Sequence, residues 1–278
     1  MKEYIENRFS HTSFKMFDEL PIWSAPFGLK LLEYIDYRKN ISTLDIGFGT
    51  GFPLTEIAMR LGNSSFVYGI DPSWNAIEQT RKKIEYYGIN NVKLIEGVAE
   101  SIPLDNNSID LITSNNGLSN VSDIDKAFNE CARIIKKGGQ FIMTMNLDGS
   151  MVEFYDIFRS VLSDFHLFNE IKLMEQHIVQ KRPAVNGIVS KLDKRGFEIR
   201  NLEYDQFNYC FADGTAMLNH YFIRLAFMNE WIALLPEKKS KEIFDKIENR
   251  LNDQAELLGR VTLSIPYVMI NAIKNKDL

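Results

Sequence analysis

The ten residues Leu44-Asp45-Ile46-Gly47-Phe48-Gly49-Thr50-Gly51-Phe52-Pro53 constrain this chain more than any other stretch. They follow a short β-type segment, Ile41 to Ile46, and lead into the helical spacing of Leu54, Ile57, Ala58 and Leu61. Three glycines at alternate positions between a strand and a helix let the backbone turn sharply and approach a ligand closely. A dinucleotide fingerprint would read G-x-G-x-x-G, but the residue three after Gly49 is the bulky Phe52. The pattern here is G-x-G-x-G, with an acid, Asp45, two residues before the first glycine. A carboxylate at the tip of the first strand repels a pyrophosphate and suits a ligand carrying an ammonium or sulfonium group.

The segments that follow repeat the strand–helix alternation. Ser65 to Ile70 reads as a second strand ending in Asp71, followed by a helix through Trp74, Ile77, Arg81 and Ile84. An acid in that place, about 20 residues past the glycine loop, can accept both hydroxyls of a ribose. Val92 to Ile95 is a third strand, and Ile109 to Thr113 a fourth, ending in the polar group Ser114-Asn115-Asn116-Gly117. Ile124, Ala127, Phe128, Cys131, Ile134 and Ile135 share one face of an amphipathic helix. Ser122 is placed to cap its start and Gly138-Gly139 to end it. Gln140 to Met145 is a fifth strand. Strands this apolar, alternating with helices, predict a parallel sheet covered on both faces.

From about Ser42 to Leu147 the chain resembles the core of the class I S-adenosylmethionine-dependent methyltransferases. The matching motifs are the LDIGFGTG loop, the GID at the end of strand two, the GVAESIP segment, the NNSIDLITSN line and CARIIKKGG. The resemblance implies a Rossmann-like, doubly wound α/β sheet of seven strands, mostly parallel with an antiparallel edge strand, carrying helical cap insertions. It implies S-adenosylmethionine as cofactor and S-adenosylhomocysteine as product. Asp45 and the amides around Gly47, Phe48, Gly49 and Gly51 would hold the methionine portion. Asp71 would bind the ribose hydroxyls, with Pro72 and Ser73 lining the adenosine. Ala99 and Glu100 fall where family members contact adenine, and Val98 stands where many relatives carry an acid for the adenine amino group. Ser114, Asn115 and Asn116 fall at the edge that in the family faces both methyl group and acceptor.

The second half changes character after Asp148-Gly149. Met151, Phe154, Tyr155, Phe158, Val161, Leu162 and Phe165 recur at helical spacing, and a further helical stretch runs toward Gln180. Pro183 to Lys194 reads as a helix, and Phe197 to Phe211 as a long β-type stretch. Gly214 to Leu235 and Glu237 to Leu258 read as two more helices, and Val261 to Ile273 as a closing strand. Set on the family's plan, residues 1–278 form one domain. Residues 1–40 are an N-terminal lid and first helix, 41–150 the cofactor-binding core, 151–182 and 213–258 the cap insertions, and 183–212 with 259–278 the C-terminal part of the sheet. The aromatic stripe of the first insertion is expected to pack the cap onto the sheet. In the lid, Phe17 or Trp23 is a candidate for the neighbourhood of the methyl group.

The chain of 278 residues is 45% hydrophobic, enough for one sizeable core, and carries a net charge of −5. Its basic clusters, Arg81-Lys82-Lys83 and Lys238-Lys239, are short and interleaved with acids. That argues against nucleic acid as a partner. No apolar run has spanning length, Met1 to Ser10 lacks a signal-peptide core, and two cysteines make no disulfide framework. A cytoplasmic enzyme without stable membrane association is expected, its partner a small-molecule acceptor.

The acceptor class narrows by elimination. Amino-methylating enzymes of the Asn/Asp-Pro-Pro-Tyr/Phe type need that signature after strand four, where this chain reads Ser114-Asn115-Asn116-Gly117. Metal-dependent catechol-type enzymes need carboxylates at that edge, and the nearest, Asp110, lies at the strand's other end, so no metal is expected. A small organic acceptor, methylated on oxygen, nitrogen or carbon, remains, with Trp23, Asn115, Asn116 and His220 as candidate contacts. His220 is also the leading candidate for a general base, should the acceptor need to lose a proton, with His11 second. Two other readings stay open on the residues: a catalytically silent member that binds the cofactor or a protein partner, and an NAD-dependent oxidoreductase sharing the sheet and Asp71. The second lacks the third dinucleotide glycine and any tyrosine with a lysine four residues on.

Overall fold

Short apolar strands separated by helices can only pair side by side beneath those helices, and that is the arrangement adopted in the computed structural model, which describes residues 23–276. The lid candidates Phe17 and His11 lie outside the described residues. Helix α1 (Ser24–Glu33) precedes β1 (Ser42–Ile46), α2 (Leu54–Leu61), β2 (Phe66–Asp71), α3 (Trp74–Tyr87), β3 (Val92–Glu96) and β4 (Ile109–Asn115). A 3-10 turn (Gly117–Asn120), α4 (Ile124–Ile134) and β5 (Ile135–Asn146) follow. With β6 (Phe197–Phe211) and β7 (Val261–Lys274), the seven-stranded sheet has the order β3-β2-β1-β4-β5-β7-β6. Strands β1 to β5 pair in parallel, and β7 runs antiparallel to β5, with Gln140 opposite Ile273 and Asn146 opposite Tyr267. The expected mostly parallel, Rossmann-like sheet with an antiparallel strand is therefore the observed fold. Leu44, Ile57, Ala58, Val67 and Ile142 are fully buried between sheet and helices.

The chain divides into two compact units. One holds residues 23–146, 183–205 and 267–276: the sheet core with α7 (Val185–Asp193) and the inner parts of β6 (Phe197–Phe211) and β7. The other holds residues 147–182 and 206–266. Its longer helices include α5 (Val152–Asp164), α6 (Phe168–Lys181), α8 (Gly214–Asn219) and α9 (Ser240–Leu258). Here the aromatic stripe turns into its own unit's core: Phe154 stacks on Trp231 at 4.0 Å between ring centroids, Phe158 meets Phe244, and Trp231 Nε1 donates to the Tyr155 hydroxyl (3.2 Å).

Three local expectations need correction. Asp123, not Ser122, caps α4, its carboxylate accepting from Lys126 N–H (3.1 Å). Gly138-Gly139 do not end that helix, because β5 already starts at Ile135. They sit where the register slips between the Ile109–Ile135 and Leu111–Gln140 pairs, and a Cβ on Gly139 would lie 2.8 Å from the Lys136 carbonyl. The helix expected from Gly214 to Leu235 breaks at His220, whose backbone is extended. It resumes as Tyr221–Ile223, a π-helical Arg224–Met228 and Asn229–Ala233. Large apolar groups packed on several sides of this stretch (Phe222, Ile223, Trp231) override the single-face pattern of one regular helix.

A buried polar network ties the sheet core. Gln140 Nε2 donates to the Tyr34 carbonyl (2.8 Å) and to Asn271 Oδ1 (3.0 Å), while its Oε1 accepts from Asp36 N–H (2.9 Å). Asn271 in turn donates to Asn201 on β6 (3.0 Å). Gln140→Leu strands these partners without water, so we expect a loss of ~2–4 kcal/mol in urea unfolding. A loss below ~1 kcal/mol would show the network to be dispensable.

Candidate functional site

The glycine loop is held by its own amides. Gly47 N–H donates to the Ile70 carbonyl (2.8 Å), Gly49 N–H to Asp71 Oδ2 (2.9 Å) and Gly51 N–H to the Phe48 carbonyl (2.9 Å). Thr80 on α3 donates to the Gly49 carbonyl (3.0 Å). The Phe48 side chain is buried in the core. The three glycine N–H groups, expected to face a ligand, thus fasten the loop, and its free surface is the ground above Gly49. That residue has φ +55°, and a Cβ there would meet nothing within 4 Å. Gly47, at φ +71°, abuts the chain leaving β4: a Cβ on it would lie 2.6 Å from Gly117 Cα, and one on Gly117 only 2.3 Å from the Ile46 carbonyl oxygen. Gly117 was missed in the sequence because nothing local says that it crosses Gly47. The only hint was a glycine directly after a polar strand end.

Asp45 lies wholly buried on β1, beside Thr113 of β4 in the strand register. Thr113 Oγ1 donates to Asp45 Oδ1 (2.7 Å), but Oδ2 has no partner. Burial pushes this carboxyl up to about 7; the Thr113 hydrogen bond opposes the shift and the nearby Asp71 adds to it. Asp71, at the end of β2, is largely buried, and burial raises its carboxyl too, against backbone hydrogen bonds from Ser73 and Gly49. Oδ1 accepts from Ser73 N–H (2.9 Å) and Oδ2 from Gly49 N–H. A carboxylate has about four acceptor sites, which leaves about two for a ligand's hydroxyls. Together these features fit a ligand with a cationic group near Asp45, a diol near Asp71 and close backbone approach at Gly49.

The remaining candidates are placed as follows. Pro72 is exposed, and Ser73 caps α3, accepting from Ala76 N–H (3.3 Å). Ala99 is buried, while Val98 stands 45% exposed, an apolar surface in place of an acid. Glu100 Oε1 accepts from Ser122 and Asp123 N–H (2.7 and 3.1 Å), so it is engaged at the entry to α4. Ser114 donates to the Ile46 carbonyl (3.0 Å) and accepts from Leu118 N–H (3.0 Å). Asn115 donates to the Ser24 carbonyl (3.1 Å) and accepts from Thr144 (2.9 Å), fastening α1 to the sheet. Asn116, in a left-handed conformation (φ +62°), keeps both side-chain polar atoms buried without a partner. Trp23, at the start of α1, sets its ring 6.0 Å from that of Phe27.

His220 belongs to the helical unit. The rings of Tyr209 and Phe211 lie 5.7 and 5.3 Å from its imidazole, and its Nδ1 has no partner. Burial lowers its pKa, so the ring is neutral at physiological pH. No group of three or more metal-ligating side chains occurs among the described residues, and no described helix is long and apolar enough to cross a membrane.

Residues 44–143 match the family model described as a methyltransferase domain. The chain is 33% identical over 168 residues to the demethylmenaquinone methyltransferase of Listeria monocytogenes (serotype 4b), covering 58% of this chain and 71% of that protein. It is 30% identical over 127 residues to the protein of the same name from Geobacillus sp. (strain WCH70), covering 46% of this chain and 54% of the relative. The chain thus spans about half the length of several curated relatives it matches. Among solved structures, the YcgJ protein of Bacillus subtilis superposes with a TM-score of 0.57 at 17% identity, covering 90% of this chain and 98% of that one, a likeness of fold.

Proposed function

The chain belongs to the class I S-adenosylmethionine-dependent methyltransferases, and from that premise we propose that it transfers a methyl group to a small organic acceptor in the cytoplasm. The observation that carries the reading is the unpartnered, buried Oδ2 of Asp45, close to Asp71, whose own Oδ2 accepts from Gly49 N–H. A buried carboxylate oxygen without a hydrogen bond is costly unless a cation completes it. When bound, S-adenosylmethionine would supply an electrophilic methyl, which the acceptor's nucleophile takes in line as the S–CH3 bond breaks and its electron pair stays on the sulfur of S-adenosylhomocysteine. Asp45 would take the ammonium end, Asp71 the ribose diol, Pro72 and Ser73 the adenosine edge, and Val98 with Ala99 the adenine face. Glu100 would act there through its hold on the start of α4. The protein's contribution is alignment more than covalent help.

Demethylmenaquinone, from the relatives' names, is the first acceptor to assay. The test of the cofactor reading is thermal unfolding with S-adenosylmethionine, S-adenosylhomocysteine and NAD. A ligand at about 100 times its dissociation constant adds roughly 2.7 kcal/mol, a rise of several degrees for a chain of this size. A shift with both adenosyl sulfur compounds and none with NAD is expected. A shift with NAD alone would overturn the reading. Asp71→Ala should weaken cofactor binding by ~1–3 kcal/mol, read by calorimetric titration, and unchanged affinity would remove Asp71 from the ribose site.

A further inference from the structure

Beside the glycine loop, the carboxyl ends of β4 and β5 gather side chains whose hydrogen-bonding capacity the protein itself leaves unused. Asn116 has both carboxamide atoms buried and unpartnered, and the same holds for Ser119 Oγ and Asn146 Oδ1. The backbone holds these residues close. Asn116 N–H donates to the Thr144 carbonyl (3.2 Å), and Ser119 N–H to the Asn116 carbonyl (3.3 Å). Asn146 lies two residues past Thr144 on β5, hence on the same sheet face. That face also carries Asp45, Thr113 and Asn115, joined by the Thr113–Asp45 and Thr144–Asn115 hydrogen bonds. Gly117, next to Asn116, touches Gly47, so the unused groups stand against the loop. Neighbours such as Ser114 and Asn115, by contrast, each donate and accept a hydrogen bond within the fold. Buried atoms without a partner occur elsewhere as well (Thr43 Oγ1, Tyr209 Oη, His220 Nδ1), but those of Asn116, Ser119 and Asn146 gather at one edge beside the loop.

The charge of this edge is as informative as its polarity. No charged residue occurs from Leu111 to Ser122 or from Gly138 to Leu147. An anionic group would find no cation in these segments, and a cationic one would sit beside the sulfonium. We propose that Asn116, with Ser119 and Asn146, forms the acceptor-recognition site, and that it selects an uncharged group able both to donate and to accept, such as a hydroxyl or a primary amide. The proposal rests on the cofactor reading above and adds to it the class of acceptor. A carboxamide offers both functions at once, which explains why asparagine suits the position better than a charged residue would.

Saturation-transfer NMR on the full chain, with S-adenosylhomocysteine bound, tests it with benzamide, benzyl alcohol, benzoate and benzylamine, which share a ring and differ in charge. The neutral pair should bind at least about fivefold more tightly than the charged pair. Asn116→Gly keeps the left-handed backbone unstrained. It should weaken the neutral pair about tenfold, the scale of a lost pair of neutral hydrogen bonds, with S-adenosylhomocysteine affinity unchanged. Ser119→Ala should weaken it less and in the same direction, which guards against a misfolded first variant. Equal or tighter binding of benzoate or benzylamine overturns the proposal, as does no binding of any probe. So does a matching loss of S-adenosylhomocysteine affinity in Asn116→Gly, which would give the residue to the cofactor. A wild-type chain that fails to bind S-adenosylhomocysteine at all would sink the methyltransferase reading itself.

Discussion

Gly47→Ala and Gly117→Ala are each expected to lower stability by ~2–4 kcal/mol and cofactor affinity by more than about tenfold, although each adds only one methyl group. At both positions the new Cβ meets backbone, which cannot turn aside as a flexible side chain can. It would lie 2.6 Å from Gly117 Cα in the first case and 2.3 Å from the Ile46 carbonyl oxygen in the second. The two strand exits would have to separate, carrying Asp45 and the polar edge after β4 apart. Gly49→Ala is the control. Its φ of +55° is strained for alanine, but its Cβ would meet nothing within 4 Å, so the cost to the fold should be only ~1–2 kcal/mol. Its effect should fall on ligand binding, because the methyl fills the open ground above the loop. Chemical unfolding and calorimetric titration of the three variants check the pattern. A Gly117→Ala variant no less stable than Gly49→Ala would mean that the crossing of the two exits does not set the cost.

Asp45→Asn is expected to have opposite effects on the free and the liganded protein. Burial raises the Asp45 carboxyl to about 7 in the folded chain, against 3.8 for an ordinary exposed aspartate. An acid whose folded pKa is raised favours folding below its unfolded pKa, and that contribution is lost as pH rises through the folded pKa. The free protein therefore carries the burden of an ionised, half-satisfied carboxylate above pH ~7. Replacing it with the neutral amide should stabilise the free chain by ~1–4 kcal/mol at pH ~8, and by less than half as much near pH ~5, which lies between the unfolded and folded pKa values. Cofactor binding should move the other way. A cationic group is held by the ionised form, so wild-type affinity should fall up to about tenfold per pH unit below ~7. The variant should bind about 100-fold more weakly at pH ~8, the scale of a hydrogen bond to charge. Paired melting and titration curves at the two pH values suffice. A variant whose stability change is the same at both, or whose affinity matches wild type, would release Asp45 from this role.

What could be read early depended on how local the signal was. The strand–glycine loop–helix unit, Asp71 at the end of β2 and the alternation that makes a parallel sheet are all set by neighbours along the chain, and the structure has them. The cap of α4 was placed one residue early, because Ser122 and Asp123 are both competent caps and only the chain's path chooses between them. Gly138-Gly139 read as a helix end because glycine ends helices, yet it also allows the irregular pairing of β4 with β5 that these residues occupy. The break at His220 was invisible because the flanking residues are apolar enough to satisfy any helical face.

The site divides in the same way. Residue type and spacing determined that this chain would build a glycine loop between strand and helix, place one acid before it and another after β2, and fold around a parallel sheet. These are consequences of backbone freedom and of a period that neighbouring residues set. Tertiary structure alone decided which groups are satisfied and which are left waiting. It buried Asp45 and gave one of its oxygens to Thr113, 68 residues away. It engaged Glu100, Ser114 and Asn115 in the fold, and left the carboxamide of Asn116 without a partner. It also brought Gly117 against Gly47. Burial and pairing are properties of what surrounds an atom in space, and residues distant in the chain supply most of those surroundings.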